Sequence, residues 1–364
     1  ESWVGKTVYE IEKEWFTLAD NFTQLAGMLQ SPLFGQNVIN KSTKTNRFLA
    51  SGILTPDAQF GAHLLDSTED YMTLPFTNDL AGDPDPWTDL ADIEVSNVTT
   101  GKQRAMRMRL VKAFGYTDIA QEFSVSNPAN VIAANFSDFW ARAEQKMLVQ
   151  MLAGVFSNTD IATAKLFDDS AKQFGPRGFL ATIGLLGDLQ DQTFSKIAVN
   201  SSAYSEMKAQ QMIDTAKPNE AVGPFGNYNG MQIVVDDDLP LDENGVATSY
   251  IFGNGSVGYS VANPASSTEV EREARKNGGR TNVINRRVET MHVMGTSVVP
   301  SFHSAGQTVT MAELASPDTW EVVKDVDPRN IKVVAYKAKV STEFLPKKKA
   351  SSGSGSGSGT TTGK

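Results

Sequence analysis

NPANVIAANFSDFWARAEQKMLVQMLAG, residues 127–154, decides the architecture. Asn127 suits an N-cap and Pro128 the first helical position. Ile132, Phe136, Trp140 (with Phe139), Ala143, Met147 and Met151 recur at helical spacing and form one apolar stripe. Gly154 is expected to terminate the helix. A helix over 129–154 is a rod of roughly 39 Å, more than twice the usual length. It predicts the spine of a domain.

Upstream, residues 73–118 read as an extended excursion. Leu74-Pro75 opens it, and GDPDPW (82–87) bars helix. DIEVSNV (92–98) alternates, Thr99-Thr100-Gly101-Lys102 supplies a turn, and RAMRMRLVKAF (104–114) begins in an extended register. A long β-hairpin is expected, with Lys102 at its tip. A two-stranded hairpin is marginally stable alone in water, so one this long needs a neighbour. Arg104, Arg107 and Arg109 lie on one strand; Asp89, Asp92 and Glu94 lie on its approach. These opposite charges are candidate inter-subunit contacts. Exposed pairs contribute about 0–1 kcal/mol each, which sets register more than affinity.

At the start of the chain, Val8, Ile11, Trp15, Leu18, Phe22 and Leu25 form a second helical stripe that gives way to a polar run, Asn40–Thr45. An arm with an apolar stripe and little to pack on needs another surface, and Ile11, Trp15, Leu18 and Phe22 are its candidate contacts. Downstream, residues 166–288 alternate helix and strand. A helix is expected near 178–190, a strand at KIAVN (196–200), a helix at Ala203–Ile213 and a strand at MQIVVDD (231–237). A turn at Glu243-Asn244-Gly245 and a strand at ATSYIFG (247–253) follow. ETMHVMGTSVV (289–299) and NIKVVAYKAKV (330–340) make the last third strand-rich, and PKKKASSGSGSGSGTTTGK (346–364) is flexible linker material.

The bulk numbers bound the function. Apolar residues make up 40% and charged residues 21% of 364, which fits a globular protein with a full core. The net charge of −9 argues against a dedicated nucleic-acid reader, whose affinity comes from neutralising phosphates. It does not argue against a container, whose wall gains nothing from holding its contents firmly. With no cysteine, disulfides, thiolate nucleophiles and cysteine zinc sites are excluded. Residues 1–15 lack an uninterrupted hydrophobic run, so no signal peptide is expected, and no apolar stretch approaches the ~20 residues that span a bilayer. Gly253–Gly258 spells GxGxxG, but YSVANPASS follows where a nucleotide site needs a helix, so a glycine turn is expected. In the acidic run ending at Gly245, Pro240 occupies the first position of an EF-hand-like loop. His63, His292 and His303 are not spaced as a close metal-binding pair. No catalytic constellation, metal site or cofactor is expected.

The order of features resembles the Hong Kong 97-type fold of tailed-phage major capsid proteins. Three stretches carry the likeness beside the spine helix and hairpin: FSKIAVNSSAYSEMKAQ (194–210), NYNGMQIVVDDDLPLDENGVATSYIFGNGSVGYS (227–260) and TVTMAELASPDTWEVVKDVDPRNIKVV (308–334). The resemblance implies an α+β chain. It divides into an N-terminal arm (1–45), the start of a peripheral domain (46–72), an extended β-hairpin loop (73–118) and the peripheral domain with its spine helix (119–165). An axial domain (166–288), a return into the peripheral domain (289–345) and a flexible tail (346–364) complete it. It implies a subunit of an icosahedral shell of pentamers and hexamers, enclosing double-stranded DNA without sequence-specific binding. The shell would assemble in the host cytoplasm and end in the virion. Portal, scaffold and decoration proteins are implied partners. The rival readings are an encapsulin-like nanocompartment shell and a soluble α/β enzyme.

Overall fold

The computed structural model describes residues 47–57, 61, 64–65, 71–78, 80, 83, 95, 98, 100–118, 128–189, 194–213, 226–276, 278–306, 308–324 and 326–346. The arm residues Ile11, Trp15, Leu18 and Phe22, the acids Asp89, Asp92 and Glu94, and the tail 347–364 lie outside them.

The first half contains α1 (Arg47–Ala50), β1 (Leu54–Pro56), β2 (Tyr71–Thr77), β3 (Thr100–Met106), β4 (Met108–Thr117), α2 (Pro128–Ser157), α3 (Thr159–Lys165), β5 (Leu166–Gln173) and α4 (Pro176–Ile183). Then come β6 (Phe194–Val199), α5 (Ser201–Ala209), β7 (Asn227–Tyr228), β8 (Met231–Val235), β9 (Val246–Gly253), β10 (Val257–Ala262), β11 (Thr268–Glu273), β12 (Arg280–Val293), β13 (Thr296–Val298), α6 (Met311–Leu314), β14 (Trp320–Val322) and β15 (Val333–Lys339).

The spine helix α2 is present and longer than expected, at 30 residues or about 45 Å. Gly154 does not stop it. A Cβ there would collide with the Leu314 carbonyl and stand 2.8 Å from Trp320 Nε1, so this glycine admits α6 and its flank against the helix. The punctuation is Asn158, whose side chain accepts from the N–H groups of Asp160 and Ile161 and starts α3.

β12 is the long strand on which α2 lies. One edge of β12 pairs antiparallel with β4; the other pairs with β11 and then β10, whose far edge takes β1 in parallel. Odd-numbered residues of β12 face the helix. Val283 clusters with Phe136 and Trp140, Asn285 accepts from Trp140 Nε1 at 2.8 Å, and Arg287 meets Glu144 at 3.0 Å. Further along, Met291 and Val293 share a core with Met147, Met151 and Val155. Four helical residues rise about 6 Å and two strand residues about 6.6 Å, so the two elements stay in step along their length.

The six-stranded sheet runs β5-β15-β9-β6-β8-β7. Its central strands are buried on both faces, which is why they read as continuous apolar runs. Val333, Ala335, Tyr250 and Phe252 face the α2 core, while Val334, Tyr336, Ile251, Ile197 and Val199 face a second core under α4 and α5. Sheet membership divides the chain differently from the expected domains. Residues 257–288, expected to be axial, supply β10, β11 and most of β12 beside α2. β15, expected in the peripheral return, sits inside the six-stranded sheet.

The hairpin also differs. β3 pairs with β2, from Tyr71 opposite Met106 to Thr77 opposite Thr100; of the strand expected at 92–98, only Val95 and Val98 are among the described residues. Thr100, Gly101 and Lys102 lie in the strand, and Lys102 stands opposite Pro75 rather than at a tip. Gly101 serves contact, not turning: a Cβ there would strike the Phe76 ring. Pro75 is tolerated because a two-stranded ribbon has outer edges that need no ladder bond. Leu80, Val95 and Val98, between the strands, are 78%, 82% and 58% exposed.

Candidate inter-subunit surface

After Met106 the chain changes partners, leaving β2 for β12. Among the described residues β4 is therefore an edge strand. The backbone N–H of Arg109 donates to Thr308 Oγ1 at 2.9 Å, and the same hydroxyl donates back to Arg109 O at 3.2 Å. Both groups of Arg109 thus point away from β12. The ladder register is unbroken, so Val111, Ala113 and Gly115 also direct their backbone outward. All three are exposed, Val111 at 63%. An open edge of this length is a template for a further strand.

Beside that edge lies a groove of about 600 Å³ of mixed character, lined by Phe114, Ile132, Asn135, Asp138, Phe139 and Arg142. Phe114 stands edge-on to Phe136 at 5.0 Å and to Phe139 at 5.6 Å. The Lys112 ammonium sits over both Phe114 and Phe139, at 5.6 and 5.8 Å, a cation–π arrangement on the rim.

The four expected cations are not one surface. Lys102 is exposed on β3 beside a recess that includes Glu321 and Lys324. Arg104 is half-buried, its guanidinium 4.8 Å over the Tyr71 ring and its backbone N–H on Ser297 Oγ at 3.2 Å. Arg107 contradicts the expectation. It is 2% exposed and donates to Leu64 O at 3.1 Å. A side chain so covered within its own chain has almost no surface left for a second copy. Arg109 is exposed and lies on the β4 edge.

The base of the hairpin is fastened by side chains. Thr290 Oγ1 donates to Met106 O at 2.6 Å, and the Gln103 amide meets the ring of His292. His292 Nε2 lies 2.9 Å from Thr296 O. Burial pulls the imidazole down to about 4. A second group missed by periodicity is Glu144, Arg287 and Glu289, buried between α2 and β12. Burial pushes Glu289 up to about 8, with Glu144 adding to the rise and Arg287 opposing it. One signal was available: Glu144 falls four residues after Trp140, in phase with the apolar stripe.

Among the described residues no three His, Asp or Glu side chains come together as a metal site. The acidic run at 236–238 is a turn, with Asp238 N–H on Asp236 Oδ1 at 2.9 Å. The GxGxxG stretch leads from β9 into β10, and Gly255 takes a positive φ of 65° in the turn between them.

No protein-family model matches the chain. It is 30% identical over 323 residues to the major capsid protein of Bacillus phage SPP1, an alignment covering 87% of this chain and 98% of that one. The chain belongs to the tailed-phage major capsid protein family. The cyanophage Pam1 capsid asymmetric unit superposes with a TM-score of 0.55 at 11% identity, over 81% of this chain and 92% of that one. The capsid of Ralstonia phage GP4 gives 0.49 at 8% identity, over 79% and 86%. The fold is the Hong Kong 97 type and the class α+β. As a capsid protein, the chain works through self-association in the virion shell, so its surfaces carry the function.

Proposed function

We propose that this capsid protein forms the pentamers and hexamers of an icosahedral shell around the double-stranded DNA of a tailed phage. In this reading sister copies meet along the outer edge of β4. The supporting observation is that edge, open at Val111, Ala113 and Gly115 beside the Phe114–Phe139 groove, in a chain of a shell-forming family. A strand from a neighbouring copy would complete the ladder and cover the groove. The exposed Leu80, Val95 and Val98 make the segment between β2 and β3 the candidate donor, and Asp89, Asp92 and Glu94 on it complement Arg109 and Lys112. The arm residues Ile11, Trp15, Leu18 and Phe22 are proposed to reach another copy. The peripheral unit would comprise α2 with the β4–β12 sheet, and the axial unit the six-stranded sheet with α4 and α5.

The role is structural and non-catalytic, with no cofactor. The acidic net charge leaves packaged DNA free to slide. Portal, scaffold and decoration proteins are the further partners. Negative-stain images of the purified protein test the reading: thin-walled polyhedra or tubes are expected. A compact monomer at every concentration would refute it.

A further inference from the structure

Glu144 on α2 and Arg287 and Glu289 on β12 meet at exposures of 1%, 2% and 0%. Arg287 Nη1 lies 3.0 Å from Glu144 Oε1 and 3.5 Å from Glu289 Oε1, so one guanidinium serves two carboxyl groups. Trp140 covers its face at 4.8 Å. Among the described residues Glu289 Oε2 and Arg287 Nη2 find no hydrogen-bond partner. The other facing titratable group is the Tyr259 hydroxyl from β10, which bonds Glu144 and is held well above its ordinary range by burial and by the two acids. From β4, Met108 stands opposite Glu289 and brings an apolar side chain.

We propose that Glu144, Arg287 and Glu289 form a proton-operated clasp between the spine helix and the long strand, closed when Glu289 is protonated and loosened when it ionises. With all three ionised, the layer carries one uncompensated negative charge in a dry interior, which is costly to hold. With a proton on Glu289, Glu144 and Arg287 remain as a neutral pair. On opening, the Glu289 O–H bond breaks, the electron pair stays on the carboxylate and the proton leaves to bulk base. The charge can then be relieved only by water entering between α2 and β12, or by the helix moving off the strand. The same helical segment carries Phe136 and Phe139 against Phe114 of β4. If the proposed assembly edge is correct, the clasp is therefore coupled to the contact between copies, but its own test does not depend on assembly.

The pH window follows from the shift. The ordinary glutamate value is 4.5 and the native one about 8. Between them the native chain holds a proton that the unfolded chain has released. This group's contribution to stability therefore falls as pH rises across that window and levels off above it.

Infrared difference spectra of the full-length protein between about pH 6 and about pH 10 test the clasp directly. The carbonyl stretch of a protonated carboxyl in an apolar setting is expected at the lower pH and lost at the higher; Glu289→Gln removes that change. Hydrogen exchange, corrected for intrinsic rate, is expected to show α2 around Glu144 losing about tenfold protection at the higher pH in the wild type and not in Glu289→Gln. Glu144→Gln moves the infrared transition to lower pH, because Arg287 is then left to Glu289 alone. If Glu289→Gln fails to fold, the wild-type spectrum and Glu144→Gln decide the matter. Absence of the protonated-carboxyl band at about pH 6, or an unmoved transition in Glu144→Gln, overturns the proposal.

Discussion

A proline scan of β4 separates folding from assembly, because alternate residues of an edge strand face different partners. At Ala113 the backbone N–H points away from β12, by the same parity as Arg109 with its bond to Thr308. Ala113→Pro therefore removes no bond to the described residues, and its cost is the restriction of φ, under about 1 kcal/mol where the strand can accommodate it. At Lys112, opposite Asn285, the N–H points into the ladder. Lys112→Pro deletes that bond and strands an acceptor, a loss of about 1–3 kcal/mol before any clash of the ring. In the assembled shell the order reverses. Ala113→Pro deletes one inter-subunit bond and its ring holds the incoming strand off the neighbouring positions, on the order of 1–3 kcal/mol at every copy of the contact. Circular-dichroism melts and light scattering on the two variants provide the comparison. Ala113→Pro is expected to melt near the wild type and fail to form particles; Lys112→Pro is expected to melt early. Normal particles from Ala113→Pro would refute the edge as a contact. Early melting of both variants equally would refute the parity.

Gly154→Ala gains up to about 1 kcal/mol of helix propensity but pushes a methyl into the Leu314 carbonyl and Trp320. A net loss of about 1–2 kcal/mol is expected, seen as a lowered melting midpoint. Arg287→Ala leaves Glu144 and Glu289 buried without their cation, an expected loss of about 3–5 kcal/mol by denaturant titration. His292 is held at about 4 against an ordinary 6.5. The unfolded chain binds its proton first, so this group's stability is full above 6.5, is lost as pH falls toward 4, and amounts to about 3 kcal/mol. His292→Gln should flatten that acid limb in melts taken across pH. Arg107→Glu is expected to unfold the subunit, whereas Arg109→Glu leaves it folded and weakens assembly; gel filtration and circular dichroism distinguish the two.

The parts of this fold that are legible in the sequence share one property: apolar residues supply the pattern. The spine helix shows because Phe136, Trp140, Met147 and Met151 keep its period, and β8, β9 and β15 show because burial on both faces makes their runs almost wholly apolar. β12 is half-hidden because its helix-facing positions include Asn285, Arg287 and Glu289. Each is polar and each is buried against a specific partner. Periodicity treats a buried polar side chain as an exposed one, so of the polar layer that ties α2 to β12 only Glu144, in phase with the apolar stripe, hints at burial. A turn at 99–102 is suggested by Gly101, yet this glycine gives room to an aromatic ring from the paired strand, a contact that exists only once β2 is in place.

The candidate site shows the same limit in sharper form. Arg107 and Arg109 share parity along RAMRMRL, and on one continuous strand they would share a face. One is buried and the other exposed because β3 ends at Met106 and β4 begins at Met108, each on a different partner. Alternation is a property of a strand within one sheet, and it does not carry across a residue where the strand changes sheets. Arg107 occupies that change of partner, and its guanidinium donates to Leu64 O inside the subunit. The edge beyond it, from Val111 onward, pairs among the described residues with β12 alone. The division between what stabilises one copy and what is left to join two therefore falls between these two arginines.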